Sequence, residues 1–173
     1  MKKIIFTVMI TIIIFSSCTI FCKDDKLSLQ RQPYNENELR IDGYYYFIHG
    51  QKATIYFFFS NGIILHTGDG WQLDNLSEFE QRILSDDFIK KLRNNKSCWG
   101  LLSVRNNMIK LEKWYCSDGF CKVYVQEGII LNDTTFHITK SYRSNGSEKS
   151  ARDELYHFKQ FSPKPDSINN FIK

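Results

Sequence analysis

From Leu39 onward the chain is a succession of short β-branched and aromatic runs, each stopped by Gly, Asn, Asp or Ser. No other feature limits the possible folds as much, because runs of this length between turn residues read as strands. The pattern predicts eight, over Arg40 to Ile48, Ala53 to Ser60, Ile63 to Thr67, Trp99 to Val104, Met108 to Tyr115, Lys122 to Leu131, Thr134 to Tyr142 and Glu154 to Phe161. The connections Ser60-Asn61-Gly62, Arg105-Asn106-Asn107 and Asn132-Asp133 supply residues that tolerate positive φ, as tight antiparallel hairpins require. Neighbours in sequence should therefore pair.

One stretch breaks the pattern. Between Asn75 and Asn95, Ser77-x-x-Glu80 reads as a capping box, and Leu84, Phe88 and Leu92 recur every four residues along one helical face. Ser85-Asp86-Asp87 offers a second N-cap that would split this helix in two. The tail after Phe161 holds Pro163 and Pro165, which cannot donate to a strand ladder, so it is expected to run as an extended arm over the surface. The fold class expected is all-β with one or two short helices: an eight-stranded antiparallel meander closing into a barrel, with a helical insertion between strands 3 and 4. Closure removes the exposed edges that an open sheet would leave.

Within the strands, Ile109 and Leu111 alternate with Lys110 and Glu112, and Val123 and Val125 with Tyr124 and Gln126, so one face is expected to be buried and the other wet. The second strand, Thr54-Ile-Tyr-Phe-Phe-Phe59, is apolar on both faces, which places its outer side under the helix or the C-terminal arm. Aromatic residues make up 15% of the chain and concentrate in these strands. An eight-stranded barrel is wide enough either to be filled by its own side chains or to hold one small ligand. Both outcomes stay open; if a cavity exists, Tyr45, Phe57, Trp99 and Trp114 are the expected lining.

The first 17 residues read as an export signal. Lys2 and Lys3 form a positive start, and Ile4 to Phe15 is an apolar run shorter than the roughly 20 residues a membrane span needs. It ends in Phe15-Ser16-Ser17-Cys18, which resembles the bacterial lipobox, in which the new N-terminal cysteine carries acyl chains. Cys18 is the expected lipidation site and 18–38, polar and without periodicity, the expected flexible tether; 39–173 is the single domain. Lys23-Asp24-Asp25 resembles the short acidic signal that sends some Bacteroidota lipoproteins to the cell surface, and equally suits solvated linker charges.

An exported chain can hold disulfides. Cys116 and Cys121 flank Ser-Asp-Gly-Phe, a turn between two strand-like runs, and are expected to bridge across a hairpin. Cys98, beside Trp99, reads as a buried small hydrophobe. Loss of Lys2 and Lys3 leaves 21 basic residues against 19 acidic, a charge near +2 scattered along the chain, so no nucleic-acid partner is expected.

The chain resembles uncharacterised Bacteroidota lipoproteins with a lipocalin-like domain. The resemblance lies in Ile41-Asp-Gly-Tyr-Tyr-Tyr46, Trp99-Gly-Leu, Lys110-Leu-Glu-Lys-Trp-Tyr115, Leu131-Asn-Asp-Thr-Thr-Phe136 and Tyr156-His-Phe-Lys-Gln-Phe-Ser-Pro-Lys-Pro-Asp166. It implies a lipocalin-like barrel, lipid-anchored to the outer membrane on its periplasmic face or at the cell surface, and carries no established activity. Asp133-Thr134-Thr135 and Asp166-Ser167-Ile168 resemble the O-glycosylation signal of exported Bacteroidota proteins, making Thr134 and Ser167 candidate attachment sites.

No enzyme is expected. His49, His66, His137 and His157 share no ligand spacing, Asp42, Asp69, Asp74, Glu112 and Glu127 are dispersed, and there is no nucleophile elbow, P-loop or dinucleotide fingerprint. No metal or cofactor is expected either. Two functions stand ahead of a third, a hydrolase with a site assembled from distant residues: a tethered barrel that binds a small apolar or aromatic-stacking ligand, or an envelope lipoprotein of structural or immunity type with a solid core and an apolar docking patch near strand 2 and the helix.

Overall fold

A computed structural model describes residues 23–34, 38–72 and 76–173, the side chains of 69–72 excepted. Cys18 and Cys22 lie outside the described residues. Eight antiparallel strands form a closed barrel in sequence order: β1 (Gly43–His49), β2 (Lys52–Phe58), β3 (Ile63–Gln72), β4 (Trp99–Arg105), β5 (Met108–Ser117), β6 (Phe120–Asn132), β7 (Thr135–Arg143) and β8 (Ser150–Gln160), with β8 returning to β1. The meander and its closure are those expected from the turn spacing. Asn106, Asn107 and Gly62 hold positive φ in the hairpins that were read from them.

The helical insertion lies between β3 and β4, as α1 (Leu76–Arg82) and α2 (Asp86–Arg93), followed by a 3₁₀ turn at Lys96–Cys98. The break comes at Ser85, whose extended backbone (φ −81°, ψ 133°) caps α2 without a side-chain bond. Because of that break the four-residue spacing does not run on one face: Leu84 is exposed, while Phe79, Ile83 and Leu92 are buried and Phe88 and Ile89 pack beside them. The capping-box reading is also corrected. Ser77 lies inside α1, and Glu80 turns to the barrel wall, accepting from Tyr44 Oη at 2.8 Å and pairing with Lys159 at 2.7 Å.

Two apolar clusters divide the barrel wall between them. Inside, Tyr45, Tyr56, Phe58, Ile64, Leu102, Val104, Ile109, Leu111, Phe136, Ile138 and Tyr156 pack together with Leu39. Outside, Ala53, Ile55 and Phe57 of β2 meet Tyr44, Leu65, Trp99 and the helices, with Phe161, Phe171 and Ile172 of the C-terminal arm beside them. This double burial is why β2 is apolar on both faces. The arm is fixed by Lys164, whose Nζ donates to the carbonyls of Ile41 and Phe58, and burial pushes its pKa down to about 8.

The expectation of a flexible tether is corrected over 23–34. This segment is a strap that runs down the outside of the barrel. Asp25 N donates to Cys121 O at 2.8 Å, Tyr34 N donates to Ser60 O at 2.7 Å, and Leu27 packs beside Trp114 and Val123. At its centre the fully buried Glu112 carboxylate accepts from Ser28 N, Ser28 Oγ (2.6 Å) and Leu29 N (2.7 Å). Backbone donors held against an acceptor that has left water give strong bonds, and losing them would strand a buried carboxylate. Near the other end, Gly62 (φ +78°) passes under the strap so closely that a Cβ there would meet Gln32 O at 2.1 Å. The strap looked like a linker because its own residues are polar; its partners are 26 to 118 positions away.

A second carboxylate, Glu127, lies on the outer face of β6 with Lys110 at 2.7 Å, Lys140 at 2.6 Å and the Tyr142 hydroxyl against it. Burial alone would raise its pKa, but hydrogen bonds from Lys110, Lys140 and Tyr142 outweigh burial and hold it down to about 2, against 4.5 in an open chain. The hydroxyl of Tyr142 is pushed up to about 12, first by burial and then by its bond to that carboxylate.

Two outcomes are expected. Glu112→Gln places an amide donor against the strap's donors, so it should cost about 2 kcal/mol in chemical denaturation and accelerate amide hydrogen exchange at Ser28 and Leu29. Glu127 has a lowered folded pKa, so its stabilisation is complete above pH 4.5, declines as pH falls, and is gone below about pH 2. Denaturation midpoints of Glu127→Gln followed across that window should fall less steeply than those of the parent chain.

Candidate functional site

The barrel interior is filled at one end only. In the closed half, Tyr45 stacks on Phe58 (ring centroids 5.0 Å apart) and Phe136 on Tyr156 (4.7 Å), forming an aromatic plug. Beyond Tyr56 and Tyr156 the strands continue, but their inward residues become polar or too short to meet across the barrel. This leaves a cup of about 750 Å³, open at the end where β5, β7 and β3 finish.

The inward phase of each strand dictates the lining. On β5, Ile109 and Leu111 are followed in phase by Lys113 and Tyr115; on β6, the residues paired with these faces are Tyr124 and Gln126. Phe47, Thr54, Ser141 and Glu154 complete the wall from β1, β2, β7 and β8. On β6 the alternation holds, but the buried face is the outer one. Val123 and Val125 are buried on the outer side of the sheet, and Tyr124 and Gln126, read as facing bulk water, face the cup.

The floor is a chain of hydrogen bonds. Tyr56 Oη donates to Gln126 Oε1 at 2.9 Å, and Gln126 Nε2 and Tyr156 Oη both donate to Glu154 Oε2 at 3.2 Å. On one side Lys113 Nζ donates to His66 Nδ1 at 2.9 Å, which makes that imidazole an acceptor there, and the ammonium lies 5.7 Å from the Tyr56 ring centre. His66 lies opposite Tyr56 of β2, just past the end of the β3–β4 ladder at Leu65 and Trp99. At the lip, Tyr115 and Tyr124 meet edge to face at 6.1 Å, and the Tyr124 hydroxyl bonds Glu148 of the β7–β8 turn. Rings for stacking, the charged groups of Lys113, Arg152, Asp153 and Glu154, and several hydroxyls suit a ligand with a flat face and hydrogen-bonding groups.

None of the four residues expected to line a cavity does so. Tyr45 is part of the plug, and Phe57 lies on the outer face against Phe79 and Phe161. Trp99 is buried beside the helices with Nε1 donating to Leu92 O at 2.8 Å, and Trp114 sits under the strap with Nε1 donating to Asp25 O at 2.9 Å. Size does not decide which aromatics line the cup: its rings come from Phe47, Tyr56, Tyr115, Tyr124 and Tyr156, set among Lys113, Gln126 and Glu154. The available signal was phase: Lys113 stands two positions after Leu111, and Glu154 two before Tyr156, so both continue a core-facing series.

The other singled-out residues are scattered. Cys116 and Cys121 are bridged across the β5–β6 hairpin at the lip. Cys98 is buried in the outer cluster with Trp99 and Leu92, and burial pushes its thiol up to about 11 despite the nearby Lys113, so it stays protonated near neutrality. His137 binds Asp153 on the outer surface, and His49 stacks on Phe47 at the lip. Asp42 pairs with Arg40. Thr134 Oγ1 donates to Asn132 Oδ1 in the β6–β7 turn, and Ser167 Oγ accepts from Asn61 Nδ2, both at 2.8 Å. Among the described residues, no three His, Cys, Asp or Glu side chains could share a metal ion, and no helix is long and apolar enough to cross a membrane. No family model, curated protein or solved structure matches the chain.

Proposed function

We propose that this chain is a lipoprotein of the lipocalin-like kind, held to a bacterial envelope through Cys18, whose cup binds one small ligand that stacks on tyrosine. The single observation that carries the binding reading is the cavity of about 750 Å³ inside the barrel, within the range of small-molecule sites. Its walls combine Phe47, Tyr56, Tyr115, Tyr124 and Tyr156 with Lys113 and Glu154, so a ligand can be covered by rings and oriented by polar groups. The alternative, an interaction protein with a solid barrel, has less support: a cavity of about 750 Å³ opens inside the barrel, and the patch near β2 and the helix is covered by α1, α2 and the arm.

The test uses 1-anilinonaphthalene-8-sulfonate, a ring system bearing one anion. It should bind the mature chain one to one, and Ser141→Trp or Thr54→Trp, each projecting an indole into the cup from opposite walls, should weaken binding at least about tenfold with an unchanged circular dichroism spectrum. Equal binding by parent and both variants defeats the reading. The anchor is tested separately: palmitate labelling in cells should disappear in Cys18→Ser and persist in Cys22→Ser.

A further inference from the structure

We infer that the mouth of the cup faces the bilayer that holds the anchor, so that the lipid surface is the partner of this end of the barrel; this rests on the readings of Cys18 as the anchor and of the cup as a binding site. The observation is where the strap is fastened. Asp24 accepts from Cys121 N at 2.8 Å and pairs with Lys96 at 2.5 Å. Asp25 takes Val123 N, Arg143 Nε and Arg143 Nη2 on one carboxylate oxygen, and its carbonyl holds Trp114. Cys121 and Val123 begin β6, Trp114 lies near the end of β5, and Arg143 ends β7, so every one of these contacts belongs to the open end.

The chain therefore leaves the barrel at the lip of the cup. From Lys23 back to Cys18 there are five residue steps, at most about 18 Å of chain. The ten residues of β5, at about 3.3 Å each and tilted by about 40°, make the barrel roughly 25 Å tall. An acylated Cys18 thus holds the lip within reach of the headgroups and keeps the closed end one barrel height farther away. The lip suits that position. Tyr115 is 59% exposed and Phe120 half-buried on the hairpin that bears the first strap contacts, and tyrosine settles readily at a membrane interface. A mouth turned to a bilayer meets headgroups before acyl chains, which matches a floor made of Tyr56, Gln126, Glu154 and Tyr156 hydrogen bonds.

The experiment places a donor dye on the acylated full chain, at Gln51→Cys in the β1–β2 turn by the lip or at Arg105→Cys at the closed end. The protein is reconstituted in phosphatidylcholine–phosphatidylglycerol vesicles carrying a headgroup-linked acceptor. Energy transfer should be severalfold more efficient from position 51. Inserting twenty Gly and Ser residues between Cys22 and Lys23 frees the barrel without touching its contacts, and should bring the two efficiencies together. Equal transfer in the parent chain, stronger transfer from position 105, or a difference that survives the insertion overturns the orientation. An unoriented barrel that still binds the naphthalene probe sinks this inference alone; an oriented barrel that binds nothing sinks the cup.

Discussion

Tyr156 stacks on Phe136 inside the closed half of the barrel and, through its hydroxyl, donates to Glu154 on the floor of the open half. That one side chain joins packing to site. Eight strands enclose only enough space for side chains or one small ligand, so whichever residues fill the centre decide what is left. Tyr45, Phe58, Phe136 and Tyr156 fill the closed end in tilted and stacked contacts with centroids 4.7 to 5.7 Å apart, each pair adding about 0.5–1.5 kcal/mol beyond simple burial. The plug gives the cup a floor that cannot collapse. Without it, the hydrogen-bonded row from Tyr56 to Glu154 would have no fixed backing.

How far the sequence reveals this structure depends on the kind of signal each part leaves. Local signals were legible: Asn106 and Asn107, Gly62 and the Cys116–Cys121 hairpin mark turns by conformational need, and eight runs joined by short turns leave few topologies besides a meander. The side of the sheet that faces inward was legible only where the inside is apolar. Ile109 and Leu111 were placed correctly. Val123 and Val125 are buried too, as their alternation predicts, but on the outer side of the sheet, because alternation shows that two faces differ and not which one lies within a barrel. The same ambiguity sent Trp99, Trp114 and Phe57 to the interior, when helices, strap and arm cover them outside.

Long-range polar contacts leave almost no local trace. Glu112 alternates with core residues as a solvent-facing glutamate would, yet its carboxylate is buried because Ser28 and Leu29 arrive from 84 and 83 positions away. Asp24 and Asp25 read as linker charges for the same reason. Their short side chains satisfy backbone donors and Arg143, which only the closed barrel brings together.

These misplacements share one cause. Hollowing the open end of a barrel removes apolar contacts that would normally hold its strands from within, since Tyr124, Gln126, Lys113 and Glu154 face the cup. The strands there must bury apolar surface elsewhere, and the remaining face is the outer one. Trp114, Cys121 and Val123 are accordingly buried outside, against Leu27 of the strap and Phe171 and Ile172 of the arm. Both ends of the described chain thus cover the wall at the level where the interior is empty. A β-barrel with a polar cavity needs such a cover, and the inversion of faces on β6 is the physical consequence of having one.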